Sequence, residues 1–260
     1  MRGFIQIKGL FIREVVRYFK VPLQTLGAPI VNAALYLMIF GVNLGGSMHT
    51  PGNVPYLAFL IPGLIAMSVI KNAFDNSASA IMGPKYVNEL QDLRIVSLTI
   101  LQISWAKSLA SLTRGLLVGL ITYLVGQFFF YLWQGEMLHI QYPLAFFYFL
   151  IVGGLSFGFL GVAIAMWSRS FEHINAVSAL VLLPLIYLGG VFFNLENLHP
   201  IWQKISFFNP LFYIINGTRY GVLGTTDVCF IFSASVTFSF LLITYILAHI
   251  SLRKGSHFLR

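Results

Sequence analysis

Two patterns in the sequence have residue types and spacing that could do chemistry, and both lie in long apolar runs. The first is Gly154-Leu-Ser-Phe-Gly158, which matches the G-x-S-x-G nucleophile pattern of serine hydrolases. In those enzymes the serine sits on a strand-to-helix turn. Here the pattern lies within an apolar run whose glycines suit helix packing. An intramembrane serine hydrolase, with His249 or His173 as its base, is therefore a minor alternative.

The second pattern is a pair of opposite charges, Lys71 and Asp75, near the middle of another apolar run. Spaced four apart, they fall on one face of a helix, where two charges at membrane depth face a partner or water. One interpretation is mutual neutralisation. The other is a substrate or proton path, as in a channel or ion-coupled secondary transporter. Arg114, with Lys107 two turns before it, is expected to reach towards the cytoplasmic headgroups, and binding of a lipid phosphate there is an open alternative.

The sequence offers no other site for catalysis or for a cofactor. Its six histidines are scattered without metal-ligand spacing, so no metal site and no catalytic residue is predicted. It contains no Gly-Lys dipeptide, and hence no phosphate-cradling P-loop. If ATP drives this protein, another polypeptide must supply the nucleotide site.

The composition predicts an all-α integral membrane protein. Of the 260 residues, 58% are hydrophobic and only 9% are charged, against about 25% charged in soluble domains. Residues 1–20 show the apolar spacing of an amphipathic helix lying in the membrane interface, with Arg13, Arg17 and Lys20 together on its other side. Six runs then approach or exceed the roughly 20 residues that cross a bilayer. They are Leu23–Leu44, Tyr56–Met82, Ile103–Trp133, Tyr142–Trp167, Ile174–Phe193 and Cys229–Leu252.

Basic residues predict the orientation of these runs. They concentrate at both termini and in the second and fourth loops, whereas the loops at 45–55 and 134–141 contain no Lys or Arg. By the positive-inside rule both termini are cytoplasmic. The basic excess is thus interpreted as membrane orientation, and no nucleic-acid partner is expected.

Small residues recur at four-residue spacing inside the runs. The pairs are Gly115/Gly119, Gly154/Gly158 and Ala73/Ser77. Such pairs allow helices to approach closely in lipid. We expect them to pack helices together, and a contact between two copies of the chain is an open alternative.

The second loop, from Lys85 to Arg94, has two interpretations. It is short, polar and compatible with a helix that has one apolar face and exposed charges on the other. Such a helix could dock a soluble partner protein. On residue chemistry alone, an ordinary solvated connector is the favoured interpretation.

The stretch from Leu183 to Gly221 is apolar but interrupted. It leaves the fifth run at Asn194 and then scatters polar groups and prolines before the last run begins. Backbone of this kind survives at membrane depth only inside protein or beside a wet cavity. The stretch is therefore predicted to dip into the membrane and to return.

Motifs in this stretch resemble those of ABC-2 type exporter permeases. They are Leu188-Gly-Gly190, Pro210-Leu-Phe-Tyr213 and Arg219, and the likeness extends over nearly the whole chain. The resemblance implies a single domain spanning residues 1–260: an interfacial helix, six spans and an outer re-entrant helical hairpin at 194–221. It also implies a multi-pass protein of the bacterial inner membrane, in contact with its lipids.

The family resemblance further implies an exporter of amphipathic or lipid-linked substrates. A second copy of the chain and two copies of an ATPase, which binds ATP and Mg²⁺, would complete it. The cytoplasmic coupling loop would be 83–101, with ATPase contacts at Asn88, Glu89, Leu90, Asp92, Leu93 and Arg94. Relatives often carry Glu-Glu-Leu-Leu before a proline, whereas this chain has Gln91-Asp-Leu-Arg94 and then Ser97. The density of aromatic residues in this stretch separately predicts an outer gate sealed by Phe192, Phe193 and Phe212. The other residues of the re-entrant motif are expected to fix its fold rather than to contact the substrate, and they are Pro210, Tyr213 and Arg219.

Overall fold

The structure is a computed structural model that describes residues 2–43, 54–87, 99–195 and 199–255. Most of these residues are helical, and none of them forms a strand. In chain order the helices are α1 Arg2–Phe19, α2 Leu23–Gly41, α3 Tyr56–Tyr86, α4 Ile100–Gln134, α5 Pro143–Trp167, α6 Phe171–Leu188, α7 Pro200–Phe207, α8 Pro210–Leu223 and α9 Phe230–Gly255.

The prediction of an all-α protein with six membrane spans is confirmed for the described part of the chain. There, α2, α3, α4, α5, α6 and α9 are long and apolar enough to cross a bilayer. Several boundaries differ from those of the apolar runs, and α4 and α6 begin three residues earlier than predicted, at Ile100 and Phe171. Helix α3 continues past Met82 to Tyr86. Helix α6 ends at Leu188 rather than Phe193, because the next residues turn and Gly190 takes a φ of +82°, which favours glycine.

Helices α3 and α5 form the centre of the bundle. Most of their residues are buried, whereas α2, α4, α6 and α9 bury about a third or less of theirs. Helix α3 packs against α4, α5 and α8, and α9 packs along α5. Helix α6 contacts α3 at its start and α7 and α8 near its end. It thus leaves one side of α3 uncovered between α6 and α2.

Small residues make the central interfaces, as their spacing predicts. A Cβ atom built on Gly115 of α4 would lie 2.7 Å from the Val69 carbonyl oxygen of α3. One built on Gly161 of α5 would lie 2.6 Å from the Phe74 carbonyl oxygen, next to Ser77. Both distances are shorter than any normal contact, so these helices approach as closely as glycine allows.

Replacing Gly115 with valine is expected to destabilise the protein by about 1–3 kcal/mol, because the added carbons must push the α3 backbone away. Gly83, near the end of α3, is a matched control because nothing lies within 4 Å of its built Cβ atom. Melting temperatures of the detergent-purified variants measure the effect. If Gly115→Val and Gly83→Val had the same melting temperature, the close packing of α3 and α4 would be refuted.

Helix α1 lies against α4 through one face. Leu10, Glu14 and Tyr18 are buried at four-residue spacing, and the Tyr18 hydroxyl is 3.3 Å from Thr113 Oγ1. Arg17 departs from its predicted place among the basic residues of the other side. Its guanidinium turns into the bundle and donates to Ser79 Oγ and to Asn76 of α3.

Two short helices precede the last span, as the sequence predicts. Helix α8 begins with Pro210 at its first position, and Asn209 Oδ1 caps it by accepting from the Leu211 amide. The Tyr213 hydroxyl donates to the Phe207 carbonyl oxygen at 2.8 Å and so joins α8 to α7. Their depth in the membrane stays a prediction.

Candidate functional site

A cavity of about 840 Å³ occupies the uncovered side of α3. Its walls are α2, α3, α4 and α6, and Arg17 and Tyr18 of α1 border it. The space lies inside the span region, where a cavity of this size can hold a ligand of several hundred daltons.

The face of α3 that lines this cavity changes in polarity along its length. Leu64 and Met67 are followed by Ser68, Lys71 and Asp75 at three- and four-residue spacing. This spacing places them on one side of the helix. The polar part lies towards the side predicted to be cytoplasmic, and the apolar part towards the outside. The wall is therefore amphipathic along the membrane normal.

Lys71 and Asp75 form an ion pair in the cavity wall. Lys71 Nζ is 2.7 Å from Asp75 Oδ2, and the two side chains are 36% and 38% exposed. Ser178 of α6 lies 3.4 Å from Asp75 Oδ1. The geometry shows the mutual neutralisation weighed above, and it also leaves both groups accessible from the cavity.

Arg114 and Lys107 do not reach the headgroups, so that expectation is wrong. Arg114 is 9% exposed and Lys107 is 0% exposed. Both side chains turn inward because acceptors are available there. Arg114 Nη1 donates to Asn76 Oδ1 at 3.2 Å, and Lys107 Nζ donates to Glu14 Oε1 at 3.1 Å and to the Ala80 carbonyl oxygen at 2.6 Å.

Glu14 connects α1 to this buried network. Its carboxylate accepts from Lys107 and from Arg17, which lies 2.7 Å away. Burial alone raises the pKa of Glu14, but the charges and hydrogen bonds of Lys107 and Arg17 outweigh it and hold the pKa below the usual value of 4.5. Glu14 is therefore ionised at neutral pH. Its contribution to stability is present above that usual value and is lost as the pH falls through the lowered pKa.

Aromatic rings close the end of the cavity that is predicted to face outward. The Phe192 ring is 5.5 Å from Tyr36, 4.7 Å from Phe40 and 5.6 Å from Tyr187. Tyr36 of α2 and Tyr187 of α6 both line the cavity, and both rings pack against Phe192. Tyr56 of α3 donates to the Phe192 carbonyl oxygen at 2.6 Å. Phe192 thus joins three spans at this end.

The other two rings predicted for the outer gate belong to different hydrophobic clusters. Phe193 packs against the main core, which includes Phe192. Phe212 belongs to a small separate cluster with Leu195 and Tyr213. The structure therefore places Phe192 and Phe212 in different clusters.

Arg219 holds the backbone that carries Phe192. Its guanidinium carbon lies 3.6 Å from the centre of the Phe59 ring, and Nη2 donates to the Gly190 carbonyl oxygen at 2.7 Å. Arg219 is 4% exposed and does not line the cavity. This placement fits the predicted structural role of Arg219, because the side chain connects α8, α3 and the turn after α6.

The two walls that flank the opening contain π-helical turns. These turns lie at Leu23–Gly27 and Leu37–Asn43 in α2 and at Ser178–Leu182 in α6. Such turns are wider than α-helix and are frequent at functional sites. Within the described residues, such turns occur in α2 and α6. Of the four helices that line the cavity, these two make the fewest contacts with other helices.

Ser156 does not have the geometry of a nucleophile. Its side chain is fully buried in α5, and its hydroxyl donates to the Val152 carbonyl oxygen of the same helix at 2.7 Å. The glycines on either side pack against α4. This geometry gives the hydrolase alternative no support.

Sequence reasoning missed Glu14, Asn76, Tyr36 and Tyr187 as parts of the site. Glu14 carries a signal that could have found it, because it is the single acid in a strongly basic helix. Lys107 is a natural partner, because it is one of two bases in an apolar run that contains no acid. The tyrosines carry no such signal, since rings near span ends are ordinary in membrane proteins. The predicted ATPase contacts at 88–94 lie outside the described residues.

Comparison with known proteins places the chain among transport permeases. The sequence model of the ABC-2 type transporter family matches residues 5–223. The inner membrane transport permease YadH of Escherichia coli K12 is 31% identical over 252 residues, which cover 97% of this chain and 96% of the relative. Nodulation protein J of Rhizobium leguminosarum bv. trifolii is 25% identical over 87% of this chain and 86% of its own length. The same protein of Neorhizobium galegae is 24% identical over 85% and 83%.

Proposed function

Because this chain belongs to the ABC-2 type transporter family, as a multi-pass transport permease of the inner membrane, we propose that it is the membrane subunit of an ATP-driven exporter. Two copies would form the path, and two copies of a separate ATPase would power it with ATP and Mg²⁺. The observation that carries the proposal is the family match over nearly the whole chain.

The cavity beside α3 is the proposed entry of the path. It is polar towards the predicted cytoplasmic side, and aromatic rings close it at the other end. An amphipathic or lipid-linked molecule could therefore enter from the cytoplasmic side and leave when the closure opens. Exposed apolar residues of α2 and α6, such as Val31 and Leu180, would face the second copy or lipid.

ATP-driven opening requires that one nucleotide state favour one arrangement of α2 and α6. The proposed point of contact with the ATPase remains the loop residues Asn88, Glu89, Leu90, Asp92, Leu93 and Arg94. An ion-coupled transporter that uses Lys71 and Asp75 is the competing function, and it needs no ATPase.

Reversal of the loop charges tests the proposal. The double variant Glu89→Lys/Arg94→Glu is expected to lower ATP turnover of the co-expressed complex about tenfold, because like charges would then meet across the contact. Lys254→Glu, an exposed charge near the end of α9, is the matched control. The proposed contact is wrong if the ATPase still co-purifies with the double variant and is stimulated normally. No stimulation by the wild-type permease would favour the ion-coupled alternative.

A further inference from the structure

Positive charge in the cavity exceeds negative charge. Among the described residues that line it, Arg17, Lys71 and Arg114 are basic and Asp75 is acidic. Lys71 is neutralised by Asp75, and Arg17 by Glu14 behind the wall. Arg114 forms no ion pair with a described residue.

Arg114 is unusual because it is buried and incompletely bonded. Its side chain is more than nine-tenths buried, it lines the cavity, and its Nε has no hydrogen-bond partner among the described residues. A guanidinium presents five N–H donors in a planar fork. A buried charge without an acid is costly, and a buried N–H without an acceptor adds to that cost.

A second guanidinium approaches the same point. Arg17 Nη2 and Arg114 Nη1 both donate to Asn76 Oδ1, at 3.1 and 3.2 Å. The side-chain amide nitrogen of Asn76 donates a hydrogen bond to Ser111 Oγ. This bond fixes the amide so that its oxygen faces the two arginines. Two cations held at one neutral oxygen repel each other, and an oxyanion beside them would remove that repulsion.

From this geometry we infer that the cavity binds an amphiphile through an anionic phosphate head group, held by Arg114 with Arg17 and Lys71, while its apolar chain lies along Leu64, Met67 and α2. The inference rests on the proposed function and specifies its substrate class. A tetrahedral phosphate matches the convergence of two guanidinium groups, each able to form paired hydrogen bonds. The polarity gradient along α3 places the head towards the predicted cytoplasmic side.

Binding to the purified permease, without any ATPase, tests the inference. The probe is dioctanoyl phosphatidic acid, and dioctanoyl glycerol and inorganic phosphate are compared with it by calorimetry in detergent. The phosphatidic acid is expected to bind at least tenfold more tightly than the neutral glyceride. Inorganic phosphate alone is expected to bind weakly, because it lacks the chain.

Two variants are expected to change the affinity in opposite directions. Arg114→Gln should weaken binding of phosphatidic acid about tenfold, the usual loss of a hydrogen bond to a charged group. Asp75→Asn removes the one acid of the wall and should strengthen binding several-fold. Lys204→Gln, an exposed change on α7, should leave it unchanged. General damage to the fold would weaken binding in both cavity variants, so the opposite signs distinguish the site from instability.

Four results would overturn the inference. Three are equal binding of the neutral glyceride, unchanged binding by Arg114→Gln, and a weaker affinity in Asp75→Asn. The fourth is equal affinity for inorganic phosphate, which would show that the site binds the free anion rather than an amphiphile. If Arg114→Gln does not fold, the sign of the Asp75→Asn effect decides. If phosphatidic acid does not bind, the protein could still export another substrate with ATP. If the permease does not couple to an ATPase, the binding of phosphatidic acid would still be observed.

Discussion

Replacing Lys107 with methionine is expected to lower the free energy of unfolding by about 3 kcal/mol. Lys107 is fully buried and is one of three cations that pair with Glu14, beside Arg17 and the exposed and more distant Arg13. Its removal leaves a buried carboxylate with Arg17 as its remaining close partner and the Ala80 carbonyl without its donor. Breaking a buried pair on one side typically costs about 3–5 kcal/mol, and the surviving Arg17 contact argues for the lower value. The melting temperature should fall by roughly 10 °C.

The double variant Glu14→Gln/Lys107→Met shows whether the pair is the cause. It removes both buried charges of the pair and leaves only the partly exposed Arg17 without its acid, so its loss of stability should be smaller than the sum of the two single losses, by about 0.5–3 kcal/mol. Arg13→Gln is the matched control, since Arg13 contacts the same carboxylate from an exposed position. An exposed pair of this kind is worth about 0–1 kcal/mol. Additive single effects would show that Glu14 and Lys107 do not stabilise α1 through each other.

Replacing Arg219 with methionine is expected to cost about 3 kcal/mol as well, through a different mechanism. The variant loses a desolvated cation–π contact with Phe59, worth about 2 kcal/mol, and the charged hydrogen bond to the Gly190 carbonyl, worth about 1.5–3 kcal/mol. Better packing of the apolar side chain offsets part of this loss. Melting in detergent measures the change.

Arg219→Lys separates charge from geometry. Lysine keeps the charge but cannot cover the Phe59 ring and reach Gly190 with a planar fork. Its melting temperature should therefore lie between those of the wild type and Arg219→Met. If both variants melted like the wild type, Arg219 would not hold the turn that carries Phe192.

Periodicity and composition predict the spans well because lipid imposes length and apolarity on each segment separately. The predicted starts of the second and sixth runs, Tyr56 and Cys229, agree with the observed helices to within one residue. Helix ends are harder to predict. The structure ends α6 before Phe193 through the turn at Gly190, which apolarity alone does not reveal.

Contacts between distant segments account for most of what the sequence could not show. Glu14 and Lys107 are 93 residues apart, and the sequence around each residue does not indicate that the two side chains are in contact. Arg114 is ambiguous in the same way, because a long basic side chain can extend to the headgroups or turn to an internal acceptor. The position of Asn76 decided between these possibilities. The aromatic stretch predicts that Phe192 and Phe212 act together, yet the two rings lie in different clusters.

We propose that the cavity between α2 and α6 opens as ATP is consumed. The most direct test is ATP turnover by the reconstituted permease–ATPase complex before and after α2 is linked to α6. Tyr36→Cys and Tyr187→Cys, in a Cys229→Ser background, place one thiol on each helix at the closed end for a bifunctional methanethiosulfonate reagent. We predict that linking abolishes permease-stimulated turnover, that a reductant restores it, and that single-cysteine variants are unaffected. Unchanged turnover in the fully linked protein would contradict the account.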